Sequence, residues 1–502
     1  MAGEFSRRDA IRWASGAAMA TTFLPLTGKF AAWSHPTERP LATRMLGRTG
    51  REVTTFGLAG GNKVQWDLPG DEAVQIVVKA VRAGMTYIET ANNYFLSQEK
   101  MGKAFEALNL KPGVPGYDHG LRGRLFIATK TGLRTALVRD GAEPIGRSSG
   151  GGKFVLDDIK RSLTQFFGDG KGHIPEGAYL DLMQVHHIGS KADVDAAYEG
   201  LDNPGDKSLP RIGAIACLLD YRDGTNATGL NPQHRKWIRH IGITGHENPA
   251  VHMDAIQRDT RNVLDTLLVA VNPNDPRYFC HQTNSIPVAH AKGMGIVGMK
   301  VFADGVMYGL KQEYAHRPGQ SVPTVGQPDK LPSEDFIRYS LNPAGMSTII
   351  TGIGLIDKDD NPQRDQLVAN LAAAQVAKPL TRREKKDIEQ TVAELHGTRT
   401  NFFQRPSAGF LPPQRFAVNR QPDGTVRLSW HSALAAEDPI VRYEVFRRHE
   451  RIESVAFRPQ TTLTPFSFDD KAAPRGHTGG LYYKVRAIDE AGRHADTVTV
   501  KA

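Results

Sequence analysis

The chain has 502 residues, 40% of them hydrophobic and 23% charged, a composition typical of soluble globular proteins and a length too great for one ordinary core. The net charge of +9 is modest and the basic residues are scattered, which argues against a nucleic-acid-binding protein. The two cysteines, Cys217 and Cys280, belong to no CxxC pair, which argues against a zinc-thiolate or iron–sulfur centre and favours two buried thiols over a disulfide.

Residues 1–34 have the features of a targeting segment. Paired arginines, Arg7 and Arg8, precede a weakly apolar stretch from Ala14 to Leu26 that is too short and too polar to span a membrane. The segment resembles a twin-arginine export signal, which implies a periplasmic or extracellular protein; the alternative is a disordered basic tail. No other segment approaches the length of a membrane span, so no transmembrane segment is expected after signal removal.

From about residue 50 to 375, apolar runs of strand length alternate with helical periodicities. Each of eight strands is followed by a helix, which predicts a parallel sheet closed into a (β/α)8 TIM barrel over residues 41–396. A doubly wound open sheet is the alternative, but no GxGxxG follows the first strand. The predicted strands are Thr54–Leu58, Thr86–Thr90, Leu125–Thr129, Asp181–His186, Ile238–Thr244, Leu264–Val271, Gly295–Val301 and Ser347–Gly352, and the helices are Glu72–Ala83, Gln98–Leu108, Leu156–Phe167, Ile212–Leu219, Ala250–Arg258, Ile286–Lys292, Ser333–Ser340 and Arg364–Ala374.

The predicted barrel carries long loops. Lys111–Gly123 precedes the third strand, Thr131–Lys153 follows it, and Asp202–Leu209 and Asp223–Gln233 are read as further insertions. The loops that follow the strands of a barrel form the walls of its active site. Long loops of this kind therefore predict a deep or selective pocket.

A second domain follows a polar, Pro-tipped linker over residues 397–412. From 413 to 502 the pattern changes to period-two alternation with Gly, Pro and Asp turns, which predicts a small all-β sandwich. Pro412-Pro413, Trp430, Tyr443 and YYKVRAIDEAG resemble an immunoglobulin-like, fibronectin type III module. The aromatic residues are expected in its core, and the resemblance implies a spacer or a contact with a cell-envelope partner.

The carboxyl ends of predicted strands two to four carry a set of chemically active side chains. Glu89 and Tyr94 follow one strand, Lys130 ends the next, and His186 follows the third. Strand ends converge at one face of a barrel, so these groups are expected to share a pocket. An ammonium lowers the pKa of a nearby phenol, a carboxylate orients the ammonium, and an imidazole positions a carbonyl oxygen. Such a set can deliver a proton to an oxygen that gains negative charge.

Seven segments in order resemble motifs of the aldo-keto reductase superfamily over about residues 44–375. They are LGRTGREVTTFGLAGG, AGMTYIETANNYF, FIATKTG, DLMQVHHI, IRHIGITGH, GIVGMKVFADG and STIITGIG. The resemblance implies hydride transfer between a carbonyl or alcohol substrate, sugars included, and NADP(H) or, less favoured, NAD(H). It implies Tyr94 as general acid/base, with Lys130 and Glu89 tuning its pKa and His186, rather than His187, positioning the carbonyl.

The resemblance also implies a set of cofactor contacts, with departures from the family pattern. The implied contacts are Thr244, Gly245, Lys300, Gly352, Gly354, Gln366 and Asn370. Glu89 stands where the family has aspartate, Gly245 replaces an asparagine, Leu268 a glutamine and Gln366 an arginine. These departures motivate a second hypothesis, a catalytically altered barrel that acts as a binding or scaffold protein.

Two other readings carry less support. A barrel glycosidase needs two carboxylates across the scissile bond, and Glu89 has no evident partner at a strand end. Adjacent strand residues point to opposite faces, so His186 and His187 are not expected to chelate one ion, and no metal is expected.

Overall fold

The computed structural model describes residues 40–61, 71–139, 141–148, 150–278, 280–308, 331–361, 364–404, 409–474 and 480–502. The export signal expected over residues 1–34 lies outside the described residues. Within them, eight parallel strands close into a barrel, as the alternation predicts. The strands of this part are β1 (Thr43–Met45) and β2 (Glu52–Thr54), which form a hairpin, the barrel strands β3 (Phe56–Ala59), β4 (Tyr87–Glu89), β5 (Phe126–Thr131), β7 (Leu180–Val185), β9 (Ile238–Gly245), β10 (Thr266–Ala270), β11 (Gly295–Met299) and β12 (Met346–Thr351), and the antiparallel pair β6 (Thr135–Val138) and β8 (Arg211–Gly213).

Helices follow the strands along the chain and cover the outside of the barrel. In the first of them, Val74, Val77, Val78 and Val81 recur at helical spacing and are all buried, so one stripe of the helix packs against the strands. The helices are α1 (Glu72–Arg82), α2 (Ser97–Ala107), α3 (His119–Arg124), α4 (Val155–Phe167), α5 (Lys191–Tyr198), α6 (Ala214–Asp223), α7 (Pro249–Arg258), α8 (Ser285–Ala291), α9 (Ser333–Leu341), α10 (Gln366–Gln375) and α11 (Arg382–His396). In the described part of the chain, none of them is long and apolar enough to cross a bilayer.

The barrel strands are buried on both faces, which explains their nearly continuous apolar runs. In β5, Phe126 and Ala128 belong to the cluster that fills the lumen, whereas Ile127 belongs to the cluster that faces the helices. Side chains alternate along a strand, so Lys130 points into the lumen at the carboxyl end. The alternation of β5 therefore places an ammonium group at the top of a packed apolar core.

The N-terminal hairpin closes the opposite end of the barrel. Leu46 and Val53 are fully buried and belong to the lumen cluster. A Cβ on Gly295, at the start of β11, would lie 2.7 Å from Leu46 Cδ1, so glycine is what permits this close approach. With the lower end plugged, the carboxyl ends of the strands form the accessible mouth.

The predicted helix over Ile212–Leu219 is wrong at its start. Residues Arg211–Gly213 form β8, which pairs with β6 in the long loop after β5, and α6 begins only at Ala214. A pairing between segments so far apart leaves no local periodicity to detect. Three helices, α3, α5 and α11, were not predicted: the first two are short, and α11 buries a narrow stripe that holds Ile388 and Val392.

The C-terminal residues form an all-β unit with its own core. Its strands are β13 (Gln414–Arg420), β14 (Val426–His431), β15 (Ile440–Arg447), β16 (Glu450–Ala456), β17 (Phe466–Asp470), β18 (Tyr482–Asp489), β19 (His494–Asp496) and β20 (Val500–Lys501). One sheet has the order β13-β14-β17, and the other has the order β16-β15-β18-β19 with β20 against β18. Trp430 and Tyr443 are fully buried with ring centroids 5.7 Å apart, so these aromatics are core residues, as expected.

Candidate active site

The four side chains expected to act together lie at the ends of three neighbouring strands. Glu89 is the last residue of β4, Lys130 lies near the end of β5, and His186 directly follows β7. Tyr94 lies in the turn between β4 and α2. Because β4 pairs with β5 and β5 pairs with β7, the strand order brings the four groups to one side of the mouth.

Tyr94 is held between the lysine and the histidine. Its hydroxyl oxygen lies 3.1 Å from Lys130 Nζ and 3.4 Å from His186 Nε2. Lys130 Nζ also donates to the carbonyl oxygen of Thr90 at 3.0 Å and forms an ion pair with Glu89 Oε1. The longer glutamate therefore reaches the lysine despite standing where the resemblance expects aspartate.

The Lys130–Glu89 pair is shielded from solvent, with side-chain exposures of 1% and 2%. Burial lowers the pKa of Lys130 well below its usual value, and the positive charge of Lys300 adds to this shift. The carboxylate of Glu89 acts in the opposite direction because it favours the ammonium form. A poorly hydrated ammonium 3.1 Å from a phenol stabilises the phenolate more strongly than it would in water.

His186 is a neutral hydrogen-bonding group. Burial, followed by the charge of Lys130, lowers the pKa of His186 well below its usual range. Its Nδ1 atom is buried and has no hydrogen-bond partner among the described residues. His187 points elsewhere, with its Nε2 3.3 Å from a carboxylate oxygen of Glu247. The two neighbouring histidines therefore have different partners. His186, the one expected in the site, lies beside Tyr94, whereas His187 lies beside Glu247.

The turn that carries Tyr94 is fixed by Asn92, which sequence reasoning did not single out. The Asn92 amide nitrogen donates to the carbonyl oxygens of Lys130 and Asp158 and to Ser162 Oγ, at 3.1, 3.2 and 2.9 Å. Its amide oxygen accepts from Gln98 Nε2 at 3.1 Å. Asn92 thus joins the Tyr94 turn to the end of β5 and to α4.

Replacing Asn92 by alanine should lower the free energy of unfolding by about 2–4 kcal/mol, because several buried polar groups would lose their partner at once. Urea unfolding measures this change, with Asn203→Ala, on an exposed loop, as the control. We also expect lower turnover, since the turn that positions Tyr94 loses its tie to β5. A variant as stable and as active as the parent would contradict this role.

Three aromatic side chains, His187, His246 and Phe403, form a wall at the mouth of the barrel, beside the site that holds Tyr94. The Phe403 ring stacks on His246 with centroids 4.2 Å apart and meets His187 edge-on at 5.4 Å. Lys300 Nζ lies 5.2 Å from the Phe403 ring centroid. His246 could have been predicted as a residue of the mouth, because it directly follows β9. Phe403 could not, because it follows the last helix of the barrel and lies at no strand end.

Four buried histidines near the mouth predict a pH-dependent stability. Burial lowers the pKa of His252 to about 3 and that of His281 to about 4, and lowers those of His186 and His246 well below the usual value. Below pH ~6.5 the unfolded chain takes up protons that the folded chain refuses, so the free energy of unfolding should fall by up to ~1.4 kcal/mol per histidine for each pH unit. Denaturant unfolding between pH 7.5 and 5 checks this, and His281→Gln should reduce the slope by about one proton.

The residues expected at the nicotinamide end of a cofactor lie at the mouth. The Thr244 hydroxyl accepts from the backbone N–H of His187 at 3.0 Å. A Cβ on Gly245 would lie 2.0 Å from His252 Nε2, so the imidazole occupies the space that a side chain at Gly245 would need. Lys300 Nζ is 2.6 Å from Asp304 Oδ1 and close enough to Lys130 to lower the pKa of Lys130.

The residues expected at the adenosine end lie around the start of α10. The Gln366 amide oxygen accepts from the backbone N–H groups of Gly354 and Leu355 at 2.7 and 3.1 Å, so it organises the loop that begins at Gly352. Asn370 is buried within the helix. Cations here are paired with carboxylates: Lys79 with Asp360 and Asp365, and Arg364 with Asp357. This end of the mouth is more acidic than a 2′-phosphate would favour.

Unpaired polar atoms at the mouth test whether the site fits a nicotinamide group. Both amide atoms of Gln184, which pairs in register with Lys130, and Nδ1 of His246 are buried without a partner in the described part of the chain. Each such atom costs about 1–3 kcal/mol unless a ligand or water satisfies it. These donors and acceptors would be satisfied by a bound carboxamide, by another polar group of a ligand or by water.

The chain is similar to known proteins in sequence and in fold. A Bombyx mori aldo-keto reductase in complex with NADP is 16% identical, with 70% of this chain and 93% of that chain covered and a TM-score of 0.43. A Pseudomonas aeruginosa protein classed as a candidate aldo-keto reductase is 20% identical, with 67% and 94% covered and a TM-score of 0.39. The model of the Aldo/keto reductase family matches residues 55–393, more than half of the chain. With eight parallel strands in a closed barrel and this match, the chain belongs to the aldo/keto reductase family of oxidoreductases.

Proposed function

We propose that the protein interconverts a carbonyl and an alcohol, with Tyr94 as the general acid and base and a nicotinamide cofactor as hydride donor or acceptor. One observation carries the proposal: the Tyr94 hydroxyl is held 3.1 Å from the buried Lys130 Nζ, which is ion-paired with Glu89, and 3.4 Å from His186 Nε2. This is the arrangement that a phenol needs to exchange a proton with a substrate oxygen.

Proton transfer falls to Tyr94 and Lys130. As the substrate carbonyl gains electrons, its oxygen takes the proton from the Tyr94 hydroxyl, and the phenolate left behind is stabilised by Lys130 Nζ. Glu89 keeps the lysine charged and oriented toward the tyrosine. In the oxidative direction the phenolate takes the alcohol proton, so the same pair serves both directions.

His186 would orient the substrate. A neutral imidazole carries one N–H donor, which can donate to the substrate oxygen without releasing a charge into the buried site. Because its ring lies edge-on to Tyr94 at 5.5 Å, an oxygen bound between the two would be within reach of both donors. His186 would thereby hold the carbonyl oxygen where Tyr94 can protonate it.

The bound cofactor would supply or accept the hydride, and NADP(H) remains favoured over NAD(H) only by the resemblance. Thr244 and Lys300 would hold its nicotinamide end, with the unpaired amide of Gln184 nearby. The backbone of Gly352 and Gly354 would lie against the remainder, with Gln366 shaping that loop. Because the cations near α10 are already paired with carboxylates, they favour a 2′-phosphate only weakly, and NAD(H) remains the alternative cofactor.

Titration of NADPH and NADH against the purified chain tests the proposal. We expect quenching of nucleotide fluorescence with micromolar affinity, and absorbance changes near 340 nm when carbonyl or hydroxylated substrates, sugars among them, are added. Mass spectrometry of small molecules released from the exported protein identifies a retained cofactor. If neither nucleotide binds and none is released, the enzyme proposal fails and a binding or scaffold role takes its place.

We further propose export by the twin-arginine route, on the evidence of residues 1–34, to the periplasm or the outside of the cell. That route carries folded proteins, so the cofactor would bind before export. The C-terminal unit would be a fibronectin type III-like module, which its two sheets and its buried Trp430 support. Retention in the cytoplasm of an Arg7→Lys, Arg8→Lys variant would support export, and unaffected secretion would refute it.

A further inference from the structure

Residues 186–190, which connect β7 to α5 and are here called the histidine loop, are held by hydrogen bonds along their whole length. The N–H of His186 donates to the carbonyl oxygen of Thr131 at 2.8 Å. The next two N–H groups donate to the hydroxyl and carbonyl oxygens of Thr244 at 3.0 and 2.8 Å, and the last two donate to Asp193 Oδ2 at 3.3 and 3.0 Å. Every backbone N–H of the histidine loop therefore has a protein partner.

One residue of the histidine loop has a backbone conformation that a side chain disfavours. His187 has a φ of 55°, in the left-handed region. This conformation costs free energy for a residue with a Cβ, and it persists only where the surrounding structure holds it; such residues concentrate at functional sites. Because His187 directly follows His186, whatever holds the His187 peptide also helps to fix the position of the His186 imidazole.

The carbonyl group of His187 is held by Arg134, a buried arginine that sequence reasoning did not single out. Arg134 Nη2 donates to the His187 carbonyl oxygen at 2.7 Å, and Nη1 donates to the Gly132 carbonyl oxygen at 2.9 Å. Its Nε donates to Asp193 Oδ1 at 3.1 Å, so the carboxylate that binds the end of the histidine loop also balances the guanidinium charge. One rigid, planar group thus holds the middle of the loop directly and its end through Asp193.

The long insertion after β5 fixes Arg134 in turn. The backbone N–H of Arg134 donates to the carbonyl oxygen of Ile145 at 2.8 Å, and its own carbonyl oxygen accepts from the N–H of Ala214, the first residue of α6, at 2.8 Å. The β6–β8 pair begins at the next residue, Thr135. The insertion therefore places one guanidinium group against the histidine loop.

The positive charge of Arg134 acts on His186 as well. Burial is the largest cause of the lowered pKa of His186, and it is followed by the charges of Lys130, His187, Arg134 and Lys300. A neutral imidazole has one N–H group to donate to a substrate oxygen. Arg134 thus favours the form of His186 that the proposed reaction uses.

We propose that Arg134 is a positioning residue for the Tyr94 site, because it holds the His187 peptide in its left-handed conformation and thereby fixes the His186 imidazole where it orients the substrate oxygen. The inference rests on the proposed function. None of the three hydrogen bonds from the guanidinium group reaches Tyr94, so Arg134 acts through the loop. A shift of about 1 Å at a reacting group is enough to slow turnover about 100-fold.

Hydrogen–deuterium exchange tests this hold without requiring activity. Arg134→Gln should make exchange at the amides of 186–190 about 10-fold faster or more, because the loop loses its bond at the His187 carbonyl and the partner of Asp193. Arg134→Lys should also speed exchange, although it keeps the charge, because one ammonium group cannot bind both acceptors in the geometry of the planar fork.

Arg139→Gln is the matched control for both variants. Arg139 lies in the same insertion, and its guanidinium group also donates to backbone carbonyl oxygens, but these belong to Asp206 and Leu209. Exchange at 186–190 should therefore stay at the parent rate in this variant, and so should turnover.

Turnover of propanal and benzaldehyde with NADPH tests the consequence for the site. In Arg134→Gln, kcat should fall about 10- to 100-fold, whereas KM should change less than about threefold, because the walls that bind the substrate remain. The kcat values are calculated per nucleotide-binding site, so a fraction of misfolded protein does not imitate the effect.

A rescue experiment separates positioning from a general loss of structure. Glycine adopts a φ of 55° without the steric cost, so His187→Gly removes the strain that Arg134 would restrain. The fall in kcat caused by Arg134→Gln should be at least about threefold smaller in the His187→Gly background than in the parent. An equal fall in both backgrounds would count against the proposal.

Unchanged exchange at 186–190 in both Arg134 variants would overturn the proposal, and so would faster exchange with an unchanged kcat. The exchange and turnover results also keep the two proposals apart. If the parent protein reduces neither aldehyde, the proposed function falls, and the exchange result alone decides whether Arg134 holds the histidine loop.

Discussion

Replacing Tyr94 by phenylalanine should lower kcat for carbonyl reduction by about 10³-fold or more, because the general acid is lost while the ring remains. The hydroxyl that disappears is the one held between Lys130 Nζ and His186 Nε2. No other phenol contacts this lysine in the described residues, so no neighbour can take over the proton transfer. Steady-state and single-turnover assays measure the loss, while nucleotide affinity should stay within about twofold of the parent.

Tyr87→Phe is the matched control for this prediction. Tyr87 lies two residues before Glu89 on the same strand, and its hydroxyl is buried without a partner among the residues described. Its removal should leave kcat within about twofold and should not lower the free energy of unfolding, because an unpaired polar group disappears. Turnover by Tyr94→Phe equal to that of the parent would show that Tyr94 is not the acid.

Replacing Lys130 by methionine should have the second largest effect, on turnover and stability together. The buried Glu89 carboxylate would lose its counter-charge, which costs about 3–5 kcal/mol of unfolding free energy. The phenolate would lose its ammonium, which should lower kcat by about 10²–10³-fold. Lys358→Met is the control, since the Lys358 side chain is 75% exposed and should matter by less than about 0.5 kcal/mol.

Adding Glu89→Gln to Lys130→Met separates the two effects. The neutral pair leaves no uncompensated charge in the barrel, so most of the lost stability should return. Turnover should not return, because the stabiliser of the phenolate is still absent. Recovery of both would mean that Lys130 matters to the fold alone, and recovery of neither would mean that the ion pair is not the cause of the instability.

The candidate site could be predicted where its residues lie at strand ends. Glu89, Lys130 and His186 each close an apolar run of strand length, and the strand-end rule for barrels joins them without any knowledge of side-chain positions. The eight barrel strands were predicted to within a few residues because alternation of buried strands and amphipathic helices is a local signal. The replacement of aspartate by Glu89 could be noted but not judged until its contact with Lys130 was located.

Other parts of the site depend on contacts between distant segments. The role of Asn92 could not be predicted, because its side chain acts by donating to three acceptors that belong to β5 and α4. The β6–β8 pair was not predicted for the same reason, and the start of one predicted helix was therefore placed too early in the chain. Phe403 follows the barrel in a stretch with linker-like composition, and nothing local indicates that it stacks on His246.

The amino-acid sequence by itself determined the class of fold, the family and the four groups of the proposed proton transfer, because period, strand ends and motif spacing are written in consecutive residues. Only the tertiary structure decided which groups complete the mouth: the tie made by Asn92, the imidazole over Gly245, and the wall at Phe403. These three features depend on contacts between segments that are far apart in the sequence. Such packing is a property of the assembled core rather than of any one segment.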